Sequence, residues 1–173
     1  MSLEVLLETE FGELLDDERS LKVLRQGFES GSTILSDLSV DECFDRLDGL
    51  PANPSRLSWE EIPHLGISQP DGIGADGKEP RLALACKLEL LASIGKFFGI
   101  HDQRGVLFED LRLDGSLEMT FADFASLGPE FFRTPGHKYF LDLQDKWLVN
   151  FMMEEDLFFT NRLKEMHTSI AEV

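Results

Sequence analysis

Cysteine is scarce in this chain, with two residues, Cys43 and Cys86, among 173. That count excludes a disulfide framework, and both thiols lie in apolar contexts that read as buried and reduced. Histidine is also scarce, with four in all, which leaves little imidazole for a metal centre. Cations are few as well. Sixteen Lys and Arg stand against 33 Asp and Glu, a net charge of −17. Nucleic acids and anionic membranes are held by clustered Lys and Arg, and no such cluster occurs, so neither is an expected partner. No apolar run approaches the roughly 20 residues that cross a bilayer. The opening Met1-Ser2-Leu3-Glu4 is acidic where a secretory signal would be basic, so a cytoplasmic location is expected.

What the chain has in quantity is apolar side chains: 42% of residues, with 14 Phe among them. That is enough for a real core, and the length suits one domain over 1–173. Val5, Leu6, Leu7, Phe11, Leu14 and Leu15 recur at helical spacing, as do Leu21, Val23, Leu24 and Phe28. Ser39-Val40-Asp41-Glu42 is a capping-box string, and Ser58-Trp59-Glu60-Glu61 and Thr120-Phe121-Ala122-Asp123 resemble it. The Gly- and Pro-rich stretch at about 66–80 reads as a flexible loop. Residues 81–98 are nearly all apolar and read as a buried central helix that Gly99 stops. Phe140, Leu143, Trp147, Phe151, Phe159 and Leu163 predict a long C-terminal helix from His137 to Ile170. Val106-Leu107-Phe108 and Leu117 to Phe121 leave room for one small β-hairpin near 105–121. The expected fold is therefore mainly α, a compact helical domain around the 81–98 helix.

Several strings resemble chemistry. Gly72-Ile73-Gly74-Ala75-Asp76-Gly77-Lys78 matches phosphate-loop spacings. A phosphate cradle needs a strand before it and a helix after it, and Glu79 and Asp76 would repel the anion. His101-Asp102, with His64 upstream and Asp142 or Asp145 downstream, is similar to the HD family of metal-dependent phosphohydrolases. No G-x-S-x-G nucleophile string occurs.

Arg112 to Asp123, preceded by Phe108 and Leu111, resembles the loop of the EF-hand family. Asp114, Ser116, Thr120 and Asp123 fall where that family places its oxygen ligands, and Met119 where it places an apolar residue. Arg112 stands at the first ligand position and Leu117 replaces the turn glycine. Asp48 to Glu61 resembles the longer variant loop. The resemblance implies a calcium-responsive helix pair. Helix N-caps alone also produce such strings in an acidic chain.

With no catalytic constellation evident, the chain reads as a binding protein rather than an enzyme, and no cofactor is expected. The negative field favours a basic protein partner, as for immunity proteins, inhibitors, nucleic-acid mimics and chaperones. Acidity alone also serves solubility. Candidate contacts are Glu8, Glu10, Glu13, Asp16, Asp17 and Glu18, then Asp71 and Asp76, then Glu154, Glu155 and Asp156. Trp59 and Phe131 are candidate aromatic anchors. The alternatives are a metal-dependent helical hydrolase built around His64 and His101, or a degenerate EF-hand-like regulatory module. The oligomeric state does not follow from the sequence.

Overall fold

The computed structural model describes residues 18–53, 56–59, 61–67, 84–110, 115–152, 157–163 and 165. Helix α1 spans Glu18–Ser30 and leads through Gly31, at φ 77°, into strand β1, Ile34–Ser39. Helix α2 is Val40–Asp45. Two short strands, β2 (Ala52–Asn53) and β3 (Arg56–Leu57), pair with each other, and β4 is Leu65–Ile67. Helix α3, Leu84–Phe97, precedes the hairpin of β5 (Arg104–Glu109) and β6 (Gly115–Thr120). Two short helices follow, α4 (Phe121–Ser126) and α5 (Pro129–Arg133). The described chain then forms β7 (Lys138–Asp142), β8 (Leu148–Phe151) and β9 (Leu157–Thr160).

Seven of these strands make one antiparallel sheet in the order β1-β6-β5-β7-β8-β9-β4. Side chains alternate strictly between its faces. Leu107, Phe140, Val149, Phe151, Leu157 and Phe159 join a core covered by α1, α3, α4 and α5. Their sequence neighbours Val106, Phe108, Tyr139, Leu141, Leu148 and Phe158 join a second core on the other face. That core is closed by Cys43, Leu47, Leu50, Trp59 and Ile62 from α2 and the segment after it, and by Leu163.

The mainly-α expectation is therefore overturned. The long helix expected over 137–170 is replaced by β7, β8 and β9, which pair Phe140 with Val149 and Val149 with Phe159. The physical reason is burial on both faces. A strand with one wet face alternates apolar and polar residues, whereas Tyr139-Phe140-Leu141 and Leu157-Phe158-Phe159 are apolar throughout. Among so many apolar residues, helical spacings arise by coincidence. The hairpin expected near 105–121 is one pair within this larger sheet. The helix at 84–97 is not central either. It packs one face on the sheet while Cys86, Glu89, Leu90, Ser93, Lys96 and Phe97 face outward, Phe97 at 84% exposure.

Polar groups at the sheet's centre are matched across strands. Glu109 and Lys138 lie directly opposite in the β5–β7 register, with Lys138 Nζ 3.5 Å from Glu109 Oε2. The same ammonium donates to the carbonyls of Thr134 and Gly136, so the buried charge is compensated on several sides. Asn150 accepts from Trp59 Nε1 and donates to Lys138 O. The stretch at 68–83, which holds the glycine-rich string, lies outside the described residues.

Candidate functional site

Acidic side chains dominate the outer surface of residues 37–48, and local sequence rules put them there. Ser39 caps α2: its hydroxyl accepts the Glu42 N–H at 3.2 Å, and Glu42 Oε2 accepts the Ser39 N–H at 2.8 Å. The capping box fixes the helix start. From there Val40, Cys43, Phe44 and Leu47 pack on the sheet at i, i+3, i+4 and i+7. The same period turns Asp41, Glu42, Asp45 and Asp48 outward, and all four are exposed.

Asp37 extends this ridge from β1. Leu35 pairs with Leu117 and Ser39 with Gly115, so β1 carries two more residues than β6 between those pairs. The resulting bulge leaves Asp37 exposed on the sheet's edge. Ile34 and Leu35, just before it, are 42% and 38% exposed.

The ridge is electrically lopsided. Residues 37–48 hold five acids and one cation, Arg46. Arg46 is turned away from them: its Nε donates to Asp145 Oδ1 at 2.9 Å and its Nη2 to Asp142 O at 2.9 Å. Glu42 is held below the usual carboxylate range, first by the backbone N–H of Ser39 and then by its hydroxyl. Beneath the ridge, burial pushes the Cys43 thiol up.

The expected contact residues fare differently. Glu18 is exposed in the first turn of α1. Glu8, Glu10, Glu13, Asp16, Asp17, Asp71, Asp76, Glu154, Glu155 and Asp156 lie outside the described residues. Trp59 and Phe131 are core side chains, 5% and 2% exposed. Trp59 stacks on Phe158, and Phe131 meets Phe132 edge to face. Both rings are spent inside the fold. The ridge residues Asp37, Asp41, Glu42, Asp45 and Asp48 were not among those expected. Their signal was present in the interleaving of apolar 40, 43, 44 and 47 with acidic 41, 42, 45 and 48.

The metal-binding expectations find no support in the local geometry. Among the described residues, no group of three or more His, Cys, Asp or Glu is placed to hold a metal ion. Where the EF-hand resemblance needs a helix before the loop, the chain is strand β5, and residues 115–120 of the loop are β6, with 121–123 already in α4. Ser116 Oγ donates to Leu38 O, and Thr120 Oγ1 caps α4 by accepting the Asp123 N–H. Asp114 lies outside the described residues. The Asp48–Glu61 string runs through β2 and β3 rather than a calcium loop. His64 packs against Trp59 and Phe158, whereas the His101 carbonyl accepts from Ala122 at the start of α4, on the other side of the sheet. The Asp142 carboxylate accepts the N–H groups of Gln144 and Lys146.

Among the described residues, no helix is long and apolar enough to cross a membrane. Comparison with known proteins brings no significant match to a family model, to a curated protein or to a solved structure.

Proposed function

We propose that this protein binds and masks a basic surface on a protein partner, with Asp37, Asp41, Glu42, Asp45 and Asp48 at the centre of contact. The observation that carries the reading is the ridge's uncompensated charge, since its one cation, Arg46, is directed to Asp145 and Asp142. The net charge of −17 adds a long-range field of the same sign, which speeds encounter with a cationic partner. Ile34, which shares its face of the sheet with Val106 and hence with α2, supplies apolar area beside the acids, and a mixed surface of this kind suits an interface better than charge alone. A cleft that normally holds phosphate is one kind of basic surface such a ridge would cover.

The test is a paired capture from lysate of the protein's own source. The bait is either the natural chain or the triple variant Asp41→Lys, Asp45→Lys, Asp48→Lys. These positions leave the Ser39–Glu42 cap and Arg46 intact, so folding is expected to persist and is checked by circular dichroism. A basic protein held by the natural chain at low salt, weakened at moderate salt and absent from the variant supports the reading. A partner retained equally by both baits sinks it.

A further inference from the structure

On the opposite face of the sheet from the ridge, α1 and α4 enclose a polar groove of about 380 Å³. Arg19, Lys22, Gln26 and Ser30 follow one another along a single stripe of α1, with Gly27 as part of the floor. Asp123 and Ser126, one turn apart on α4, form the facing wall, and Arg19 Nε donates to Ser126 O at 3.0 Å. In an acidic chain, two cations in one concavity are unusual. The volume lies at the small-ligand end of the usual pocket range.

Two buried polar atoms, one on the groove wall and one behind its floor at Gly27, are unsatisfied among the described residues. Asp123 is the third residue of α4, and its N–H is capped by Thr120 Oγ1 at 3.1 Å. In α2 the equivalent acid, Glu42, closes its box through the carboxylate. Asp123 does not: its Oδ2 is buried without a hydrogen bond. Thr33 is fully buried, and its Oγ1 is also without a partner. That hydroxyl sits 2.2 Å from where a Cβ on Gly27 would be, with Ser32 Oγ at 3.5 Å from the same point. Any side chain at position 27 would collide with Thr33. Buried acceptors left unpaired are costly, and a ligand with a donor for Asp123 removes that cost.

We propose that the groove binds a small zwitterion of the α-amino acid class. Its ammonium pairs with Asp123 and its carboxylate faces Lys22 and Arg19. Asp123 stands one helical turn, about 4.5 Å of axial rise, from Ser126, where Arg19 is tethered. The two charges of the ligand are thereby addressed from separate ends. The hydroxyls of Ser30 and Ser32, which line the groove, are placed to complete its hydrogen bonds. This site is independent of the masking activity, because it uses the other face of the sheet and none of the ridge residues.

The experiment is titration calorimetry, with thermal shift as a second readout, on the full chain. The probes are the free amino acids at millimolar concentration, each tested beside its methyl ester and its N-acetyl derivative. At least one amino acid is expected to bind, and both derivatives to bind at least about tenfold more weakly, which corresponds to about 1.4 kcal/mol. Asp123→Asn is expected to abolish the advantage over the N-acetyl form, and Lys22→Gln the advantage over the ester. Neither change touches the Thr120 cap, so both variants should keep the natural melting profile. The proposal is overturned if no amino acid gives heat or a shift. It is also overturned if the derivatives bind as well as the parent, or if Asp123→Asn binds unchanged.

Discussion

Arg46 and Asp145, ninety-nine residues apart, are joined through the Arg46 Nε and the Asp145 Oδ1 at 2.9 Å. The bond ties the end of α2 to the turn between β7 and β8. Asp145 occupies that turn at φ 56°, a left-handed conformation that Asp tolerates better than most residues. Arg46→Ala is expected to lower stability by about 1 to 2 kcal/mol, since a charged hydrogen bond at a partly exposed site is worth less than a buried one. Asp145→Asn should cost less than Asp145→Ala, which loses the acceptor and keeps the strained backbone. Urea unfolding of the three variants checks the order.

The pair Glu109 and Lys138 answers a different question, namely which partner the core depends on. Lys138 is fully buried and keeps the Thr134 and Gly136 carbonyls when the carboxylate is neutralised. Glu109→Gln is thus expected to be the milder change. Lys138→Met leaves a carboxylate at 4% exposure facing an apolar chain and should cost about 3 to 5 kcal/mol. Equal losses in chemical denaturation would contradict this division.

Asn150 is the hinge of a second polar chain, with Trp59 Nε1 at 2.8 Å and Lys138 O at 3.1 Å. Asn150→Ala strands both groups and is expected to cost about 2 to 3 kcal/mol. Trp59→Phe retains a ring to stack on Phe158 and should cost less. Thermal melts monitored by near-ultraviolet circular dichroism distinguish the two.

Tyr139 is the single tyrosine of the chain, and burial, helped by the charge of Asp110, raises its phenol well above the ordinary range. The Cys43 thiol is raised too, first by burial. In both cases the folded state holds its proton more tightly than the unfolded chain. Their contribution is intact below the unfolded values, about 8.5 for a thiol and 10 for a phenol. It is lost as pH rises beyond them. Spectrophotometric titration should show no phenolate until the protein unfolds in alkali, and Tyr139→Phe should flatten that decline. A thiol reagent at neutral pH should label exposed Cys86 quickly and Cys43 only on unfolding.

Gly105 shows how little slack the sheet has. A Cβ there would lie 2.8 Å from both Leu141 O and the Trp147 ring. Gly105→Ala is expected to cost about 1 to 3 kcal/mol through overpacking. A melting temperature equal to that of the natural chain would refute the close approach.

Local signals were legible in part: the Ser58-to-Glu61 string, expected as a second capping box, forms only turns, whereas others are realised. The Ser39–Glu42 cap, the N-cap at Thr120 and the end of α3 at Gly99, with φ 66°, all follow from short-range chemistry. The sheet was not legible, because its evidence is spread over strands far apart in the chain. The stretch Asp142-Leu143-Gln144-Asp145-Lys146, which turns β7 into β8, lay inside the expected 137–170 helix, with Leu143 assigned to its apolar face. Its meaning depends on the Asp142 carboxylate bonding Gln144 and Lys146 N–H, a detail that composition does not carry. The ridge was hidden for a related reason. Acids were sought at the N-terminus, in the glycine-rich stretch and at 154–156, whereas these are interleaved with the core residues of α2.

Because adjacent residues of β7 belong to separate cores, the chain has a reading frame in space as well as in its gene. Deleting Leu141, with Asp142 held in place by its turn, would send Phe140 to the Trp59 side and Tyr139 to the helices, and would pull Lys138 out of its carbonyl cage. No repacking on one side repairs such a slip, since both cores change at once. Length changes in this protein should therefore survive in its connections and be eliminated from its strands. That pattern would separate true relatives from accidental resemblances even where few residues agree.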